Sequence, residues 1–215
     1  MKKLSLIIAL ICTIGFVTVS QSQAQNDRKF NKESERQYKD KRKELKKEGY
    51  KISVTTYTLD FALMKHYRTL RSDDNNQVKI GAVTMCKSLN VCQAMAFNNA
   101  ANSYASQASS FVRGRVTSEM SNNASEDDLE EFDRFYAAYE NLVSSEIKSV
   151  LKHSMSIEKP NGNGKSFESW YIINEESASK SRMRAMENAA AESKLAREHA
   201  EQISNFVQEG FEIND

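Results

Sequence analysis

The stretch from Val78 to Val116 constrains the fold more than any other part of the chain. Val78, Ile80, Ala82, Thr84 and Cys86 alternate onto one face, and Val83 and Met85 onto the other, so a strand runs from Val78 to Lys87. Apolar residues on both faces predict a central strand. Gly81 in mid-strand predicts close approach of another backbone or side chain. Ser88-Leu-Asn90 turns the chain into a helix, where Asn90 with Gln93 has the logic of a capping box. Phe97, Ala101, Tyr104, Ala108 and Phe111 then follow in steps of four and three, and Ala94, Ala100 and Ala105 widen their face. Such an Ala-rich face packs closely on a sheet or helix and leaves little room for a cofactor.

A chain of 215 residues with 1 Pro and 7 Gly favours long helices over a sandwich of short strands. Residues 1–24 read as a secretory signal peptide: Lys2 and Lys3, an apolar run from Leu4 to Val19, and Ser22-Gln23-Ala24 before a cleavage site at Gln25. The run is short for a membrane helix, so no transmembrane span is expected after cleavage. The protein is therefore expected to be exported: periplasmic, outer-membrane-associated or secreted. Residues 25–51 read as a charged, basic lead-in helix, and residues 52–215 as one α+β domain. From Asp27 to Lys51 there are 11 Lys/Arg against 6 Asp/Glu, and Phe30, Tyr38 and Leu45 form one thin apolar stripe. The sharper reading of that segment is an arm for an anionic surface. The plainer one is a solvated helix touching the domain along an edge. Export and the lack of interleaved aromatics argue against nucleic acid.

Along the rest of the chain, Gly49 reads as a helix stop, and Tyr50 to Tyr57 as a short extended piece. Thr58 to Leu70 reads as a helix with Leu59, Leu63, Tyr67 and Leu70 on one face and Ala62 and His66 beside it. Ser72 to Asn76 is a turn. Ser125 with Asp128 starts a helix whose stripe runs Leu129, Phe132, Tyr136, Tyr139, Val143, Ile147 and Val150, broadened by Phe135, Leu142 and Leu151. Ser154–Lys159 and Phe167–Asn174 form a hairpin across Pro160-Asn-Gly-Asn-Gly-Lys165. Trp170, the single tryptophan, could be core or an exposed stacking surface. From Glu175 a last helix is expected to reach about Val207, with Met183, Met186, Ala189, Ala190 and Ala196 inward and Arg182, Arg184, Lys194 and Arg197 facing solvent. The fold class expected is α+β: helices packed on a small, mostly antiparallel three-stranded sheet, in the order α-α-β-α-α-β-β-α.

Cys86 and Cys92 are candidates for a disulfide if the chain is exported; two buried thiols are the alternative. A zinc site with His66 or His153 is disfavoured, because cysteines at this spacing lack the tight pairing of structural zinc.

Lys46-Lys-Glu-Gly-Tyr50 after a basic helix resembles the K-K-E-G-W start of small exported proteins of Bacteroidetes-type bacteria, with Tyr50 in place of the Trp. The Ala-rich helix from Ala94 to Glu119, and Trp170-Tyr-Ile-Ile-Asn-Glu-Glu-Ser-Ala178 leading into an Ala/Glu/Arg helix, resemble the same proteins. They are also similar to the LPP-twenty outer-membrane lipoproteins and to the N-terminal domain of flagellar assembly protein T. The resemblance implies an envelope location and helices on a small antiparallel sheet, and it brings no catalytic residues. This chain lacks the lipid-attachment cysteine of the lipoprotein members, which speaks against direct membrane anchoring.

The chain contains no H-E-x-x-H, G-x-S-x-G, P-loop or G-x-G-x-x-G motif. No catalytic, cofactor-binding or metal-binding residue is therefore expected. The function expected is a non-catalytic exported cell-envelope interaction or structural module, partnered by an envelope protein or peptidoglycan, or self-associating through its long helices. The alternative is a small-ligand or glycan-binding protein, or a hydrolase whose site assembles in space.

Overall fold

The computed structural model describes residue 32 and residues 34–53, 57–120 and 125–211. The expected signal peptide and cleavage site, and Phe30, lie outside the described residues. The elements run α1 (34–47), β1 (Lys51–Ile52), α2 (Leu59–Leu70), β2 (Asn76–Cys86), α3 (Leu89–Met120), α4 (Glu126–Ile147), β3 (Lys152–Asn161), β4 (Gly164–Asn174), α5 (Glu175–Ala191), α6 (Lys194–Glu198) and α7 (Ala200–Glu209). No helix among the described residues is long and apolar enough to cross a membrane.

The α+β class holds, with one strand more than expected. The sheet is four-stranded and antiparallel, in the order β1-β3-β4-β2. The extra strand comes from the extended piece after Gly49: Lys51 pairs with Glu158 and Ile52 with Ile157. The expectation that β2 is central is wrong. Among the described residues it is an edge strand bonded to β4; Val83 and Cys86 are buried under α3, while Ala82, Thr84 and Met85 are exposed. The β3–β4 hairpin takes the centre. Its turn is tighter than the Asn-Gly repeat implied: Asn161 pairs with Gly164 across Gly162-Asn163, with Gly162 at φ +54°, so Pro160 lies inside β3.

Each face of the sheet carries a core. On one face, Leu45 of α1 and Leu59 and Leu63 of α2 bury against Met155, Ile157 and Trp170. Asp60 of α2 faces the cations Arg42 and Lys46 of α1 across this layer. On the other face α3 crosses β2 and β4, α4 packs on α3 and α5, and α7 closes against α5. Ala100, Ala101, Tyr104, Ala105 and Ala108 of α3 are almost fully buried there against Phe135, Tyr139, Val143 and Ile147 of α4. The stripes of α4 and the last helices thus cover one another within the chain.

Local signals explain the starts and stops. Ser125 and Asp128 form the expected capping box, and their hydrogen bonds hold the Asp128 carboxyl below its usual range. Helix α3 begins at Leu89, so Asn90 sits inside its first turn instead of capping it; the Cys92 amide already bonds the Ser88 carbonyl at 2.9 Å. The single last helix breaks into α5, α6 and α7. Ser193 makes the first break: its hydroxyl accepts from the Ala196 amide at 3.1 Å and starts a new helix where the old one would continue, and the second break falls at His199, which makes no side-chain cap. Leu129 and Ala94 are exposed rather than inward, each lying at the margin of its stripe. Arg182, expected on the outer face, is one of the most buried side chains of the protein.

Candidate functional site

A cleft of about 610 Å³ opens where α2, the turn after it, the start of β3 and the β4–α5 junction meet. Its floor is built around one amide. Asn174 ends β4 and caps α5, accepting weakly from the Ser177 amide at 3.5 Å. Its Nδ2 donates to Asp73 Oδ2 at 3.0 Å and to Asn76 Oδ1 at 3.2 Å, tying the Ser72–Asn76 turn to the sheet. That turn is held by its own short polar side chains. Asp73 Oδ1 accepts from the Asn75 amide at 2.9 Å, while Ser72 Oγ and Asn76 Nδ2 donate to the Thr69 carbonyl at the end of α2. The Glu175 amide donates to the Asn75 carbonyl at 2.8 Å and fixes α5 to the same turn.

The opposite wall comes from an irregularity in β3. The register with β4 shifts between His153 and Met155, so Ser154 leaves the alternation of the strand. Ser154 Oγ lies 2.8 Å from Nδ1 of His66, whose side chain is buried behind the wall. His66 Nε2 has no hydrogen-bond partner among the described residues. His153 makes the other connection, Nε2 to Ser156 Oγ at 2.8 Å, and Ser156 Oγ lies 2.7 Å from Ser169 Oγ. His153 stands in the wall of the cleft and of a second hollow of about 260 Å³ formed with Phe97 and Tyr171.

Burial alone pushes the His66 imidazole down to about 4 and lowers that of His153. The unfolded His66 takes up its proton near 6.5 and the folded one only near 4, so acidification between these values favours the unfolded chain. Stability contributed by neutral His66 should fall by roughly 2 kcal/mol from pH 7 to pH 5. Urea midpoints at the two pH values measure it, and His66→Gln should remove most of the difference; an equal slope in that variant would place the effect elsewhere.

Lys65 and Lys152 lie on the rim. Neither ammonium pairs with a carboxylate among the described residues, and Asp73 is the one acid in the lining. The wall therefore carries two positive charges against one negative.

The other residues singled out in the sequence fall outside the cleft. Trp170 is core, only 3% exposed. Its Nε1 donates to Glu168 at 3.2 Å and its ring meets His66 edge-on at 5.2 Å, so it offers no face for a glycan. Tyr50 donates to the same Glu168 at 2.7 Å, and its phenol is held protonated by burial and by that carboxylate. Cys86 and Cys92 are brought to disulfide-bonding distance, with Cα atoms 5.5 Å apart, at the junction of β2 and α3. Among the described residues no three His, Cys, Asp or Glu side chains converge to hold a metal ion. Reducing the cysteine pair should cost about 2–2.5 kcal/mol, the chain-entropy value for so short a loop. Thermal melts with and without reductant should then differ by about 5–10 °C.

The cleft residues carry no sequence motif. Lys65, Asp73, Asn76, Lys152 and Asn174 come from four separate elements, and only the turn at Ser72–Asn76 was visible locally. Comparison with protein families, curated proteins and solved structures returned no match. The chemistry of the cleft is thus the basis for a functional reading.

Proposed function

We propose that this protein is a non-catalytic, exported cell-envelope module that holds a small polar component of the envelope, a peptide or glycan fragment of the wall, in the cleft between α2, β3 and α5. The observation that carries this reading is the cleft itself. Its volume of about 610 Å³ falls within the range of small-molecule sites. Its walls present hydroxyl and amide groups held by the hydrogen bonds of the Ser72–Asn76 turn and Asn174, with two ammoniums on the rim, which suits a ligand rich in hydrogen-bonding groups. The basic segment at α1 and the signal-like first residues support an exported protein working near an anionic envelope.

A photo-crosslinking residue placed at Thr69 tests the proposal in the native envelope. It should yield an adduct with the mass of a wall fragment, while the same residue at exposed Glu130 on α4 should not. Recovery of only unmodified monomer at both positions would count against a cleft-bound ligand.

A hydrolase is the second reading, favoured by the contact of Ser154 with a neutral His66 in the cleft wall. The non-catalytic reading is better supported. A nucleophile–base pair needs a third group to orient the base, and the far nitrogen of His66 has none. The hydroxyls of Ser156 and Ser169 are 2% and 1% exposed, out of reach of a substrate. Labelling of Ser154 by a fluorophosphonate would reverse this preference.

A further inference from the structure

The geometry points to a carboxylate as the group that the cleft recognises: a small polar ligand, peptide-like in size, with one negative charge placed between Lys65 and Lys152. This inference rests on the cleft being a binding seat, and it adds the class of ligand.

Three observations lead to it. The first is charge. Lys65 enters from α2 and Lys152 from the start of β3, on two walls of one cavity, and both ammoniums lack a carboxylate partner among the described residues. Several other lysines of the chain are paired: Lys39 with Glu35, Lys165 with Glu158, Lys180 with Glu176. The second is the match of magnitude. Two ammoniums and the Asp73 carboxylate leave the lining with one net positive charge, which one carboxylate neutralises. A dianionic phosphate would keep an excess negative charge beside Asp73. The third is the state of the neighbouring donors. Asp73 accepts from the Asn75 amide and from Asn174, which hold its carboxylate in the turn, and it forms no ion pair with either rim lysine. The lysines stay available. Around them, Ser154, Thr69 and Ser177 offer hydroxyls for the neutral part of the ligand.

Lysine is suited to such capture because its ammonium is a mobile point charge on a flexible stem. Exposed pairs of this kind are weak, so affinity for a single carboxylate should be modest and should fall as salt screens it. Selectivity should come from the fixed hydroxyls and amides around the charge.

The test is an amide chemical-shift titration of the protein as the cell processes it, labelled with nitrogen-15. The probes are N-acetyl-D-alanyl-D-alanine, its C-terminal amide and inorganic phosphate. We expect the free acid to shift the amides of Ser72–Asn76 and Ser154, to bind at least tenfold more tightly than the amide, and to lose that advantage in Lys65→Gln/Lys152→Gln. Both lysines are exposed, so the double variant should keep the wild-type melting temperature, and circular dichroism checks that it is folded. Equal binding of acid and amide, unchanged in the double variant, would overturn the carboxylate assignment and leave the cleft standing as a seat. Tighter binding of phosphate than of the free acid would overturn it in favour of a different anion. An absence of shifts at the cleft with the acid and with its amide would overturn the assignment together with the seat.

Discussion

Replacing Arg182 by alanine should cost about 3–5 kcal/mol, the usual price of removing one partner from a buried ion pair. The Arg182 side chain is 1% exposed. Its guanidinium donates to both carboxylate oxygens of Glu175, two turns earlier on α5, and to the Tyr104 hydroxyl on α3. Nε and Nη2 reach the Val207 carbonyl at 3.4 and 3.3 Å, near the end of α7. The Phe211 ring lies over it at 5.4 Å. Burial opposes the charge, but Glu175 and Tyr104 more than offset it, so the guanidinium stays firmly protonated. Burial likewise pushes the Tyr104 phenol up to about 12 against the pull of the nearby arginine, so it remains neutral. One cation thus joins three helices. Without it, a carboxylate, a hydroxyl and a carbonyl lose their partner together, and a cavity opens among them.

For a chain of this size the loss corresponds to a fall of about 6–20 °C in melting temperature. Arg182→Lys should recover only part, because one ammonium cannot serve the carboxylate, the hydroxyl and the carbonyl at once. Arg182→Met combined with Glu175→Leu should recover more than Arg182→Met alone, since an apolar pair leaves no buried charge uncompensated. Wild type, Arg182→Met, Glu175→Leu and the double variant form a double-mutant cycle in urea. A melting temperature for Arg182→Ala within about 2 °C of wild type would contradict the buried role. The consequence reaches the cleft: Glu175 also anchors α5 to Asn75 through its amide. A loosened α5 terminus should therefore weaken binding of the proposed ligand beside Asn174 and Ser177 before the chain unfolds.

The parts of this fold that were legible in the sequence are those whose causes lie within a few residues. The Ser125–Asp128 box is written in one helical turn. The cysteine pair closes a loop of six residues' separation, and the β3–β4 hairpin needs only its local Gly162-Asn163 turn. Strand β1 was harder to read, because two residues earn strand status only by pairing with Glu158 and Ile157, about a hundred positions away. The edge position of β2 failed for a related reason. Apolar residues report which faces a strand buries and not how many strands pair with its edges, and β2 leaves Ala82, Thr84 and Met85 exposed. Arg182 was misplaced because its type speaks for solvent while its spacing speaks for the core: Ala178, Arg182, Ala185 and Ala189 share the buried stripe of α5. Spacing won, since Glu175 and Tyr104 were there to satisfy the charge. The cleft was invisible for the deepest reason. Its members are ordinary Lys, Ser, Asn and Asp residues, and only the packing of α2, β3 and α5 brings them together.

Gly81→Ala should be as damaging as a large core truncation, about 3 kcal/mol, even though it adds one methyl group. A Cβ at Gly81 would lie 1.8 Å from the Ala96 carbonyl oxygen and 2.7 Å from its carbon, with the Ala100 methyl at 3.2 Å. The obstruction is backbone, so no rotamer change relieves it. Nor can α3 yield locally. It spans Leu89 to Met120, is tied to β2 by Asn99 donating to the Ala82 carbonyl at 2.8 Å, and is linked at its start through Cys92. Strand β2 cannot retreat either, because Gly81 is paired with Ser169 of β4. Either α3 lifts from the sheet along its length or the β2–β4 pairing breaks. Two controls separate this cause from a general intolerance of change. Gly114→Ala, in the same helix with nothing within 4 Å of the new methyl, should stabilise by about 0.5–1 kcal/mol. Adding Ala96→Gly to Gly81→Ala should not rescue it, because the clash is with the Ala96 carbonyl and not with its side chain. Urea midpoints of the three variants decide the matter, and a Gly81→Ala protein as stable as wild type would mean that α3 does not lie on β2 as closely as its carbonyl at Ala96 implies.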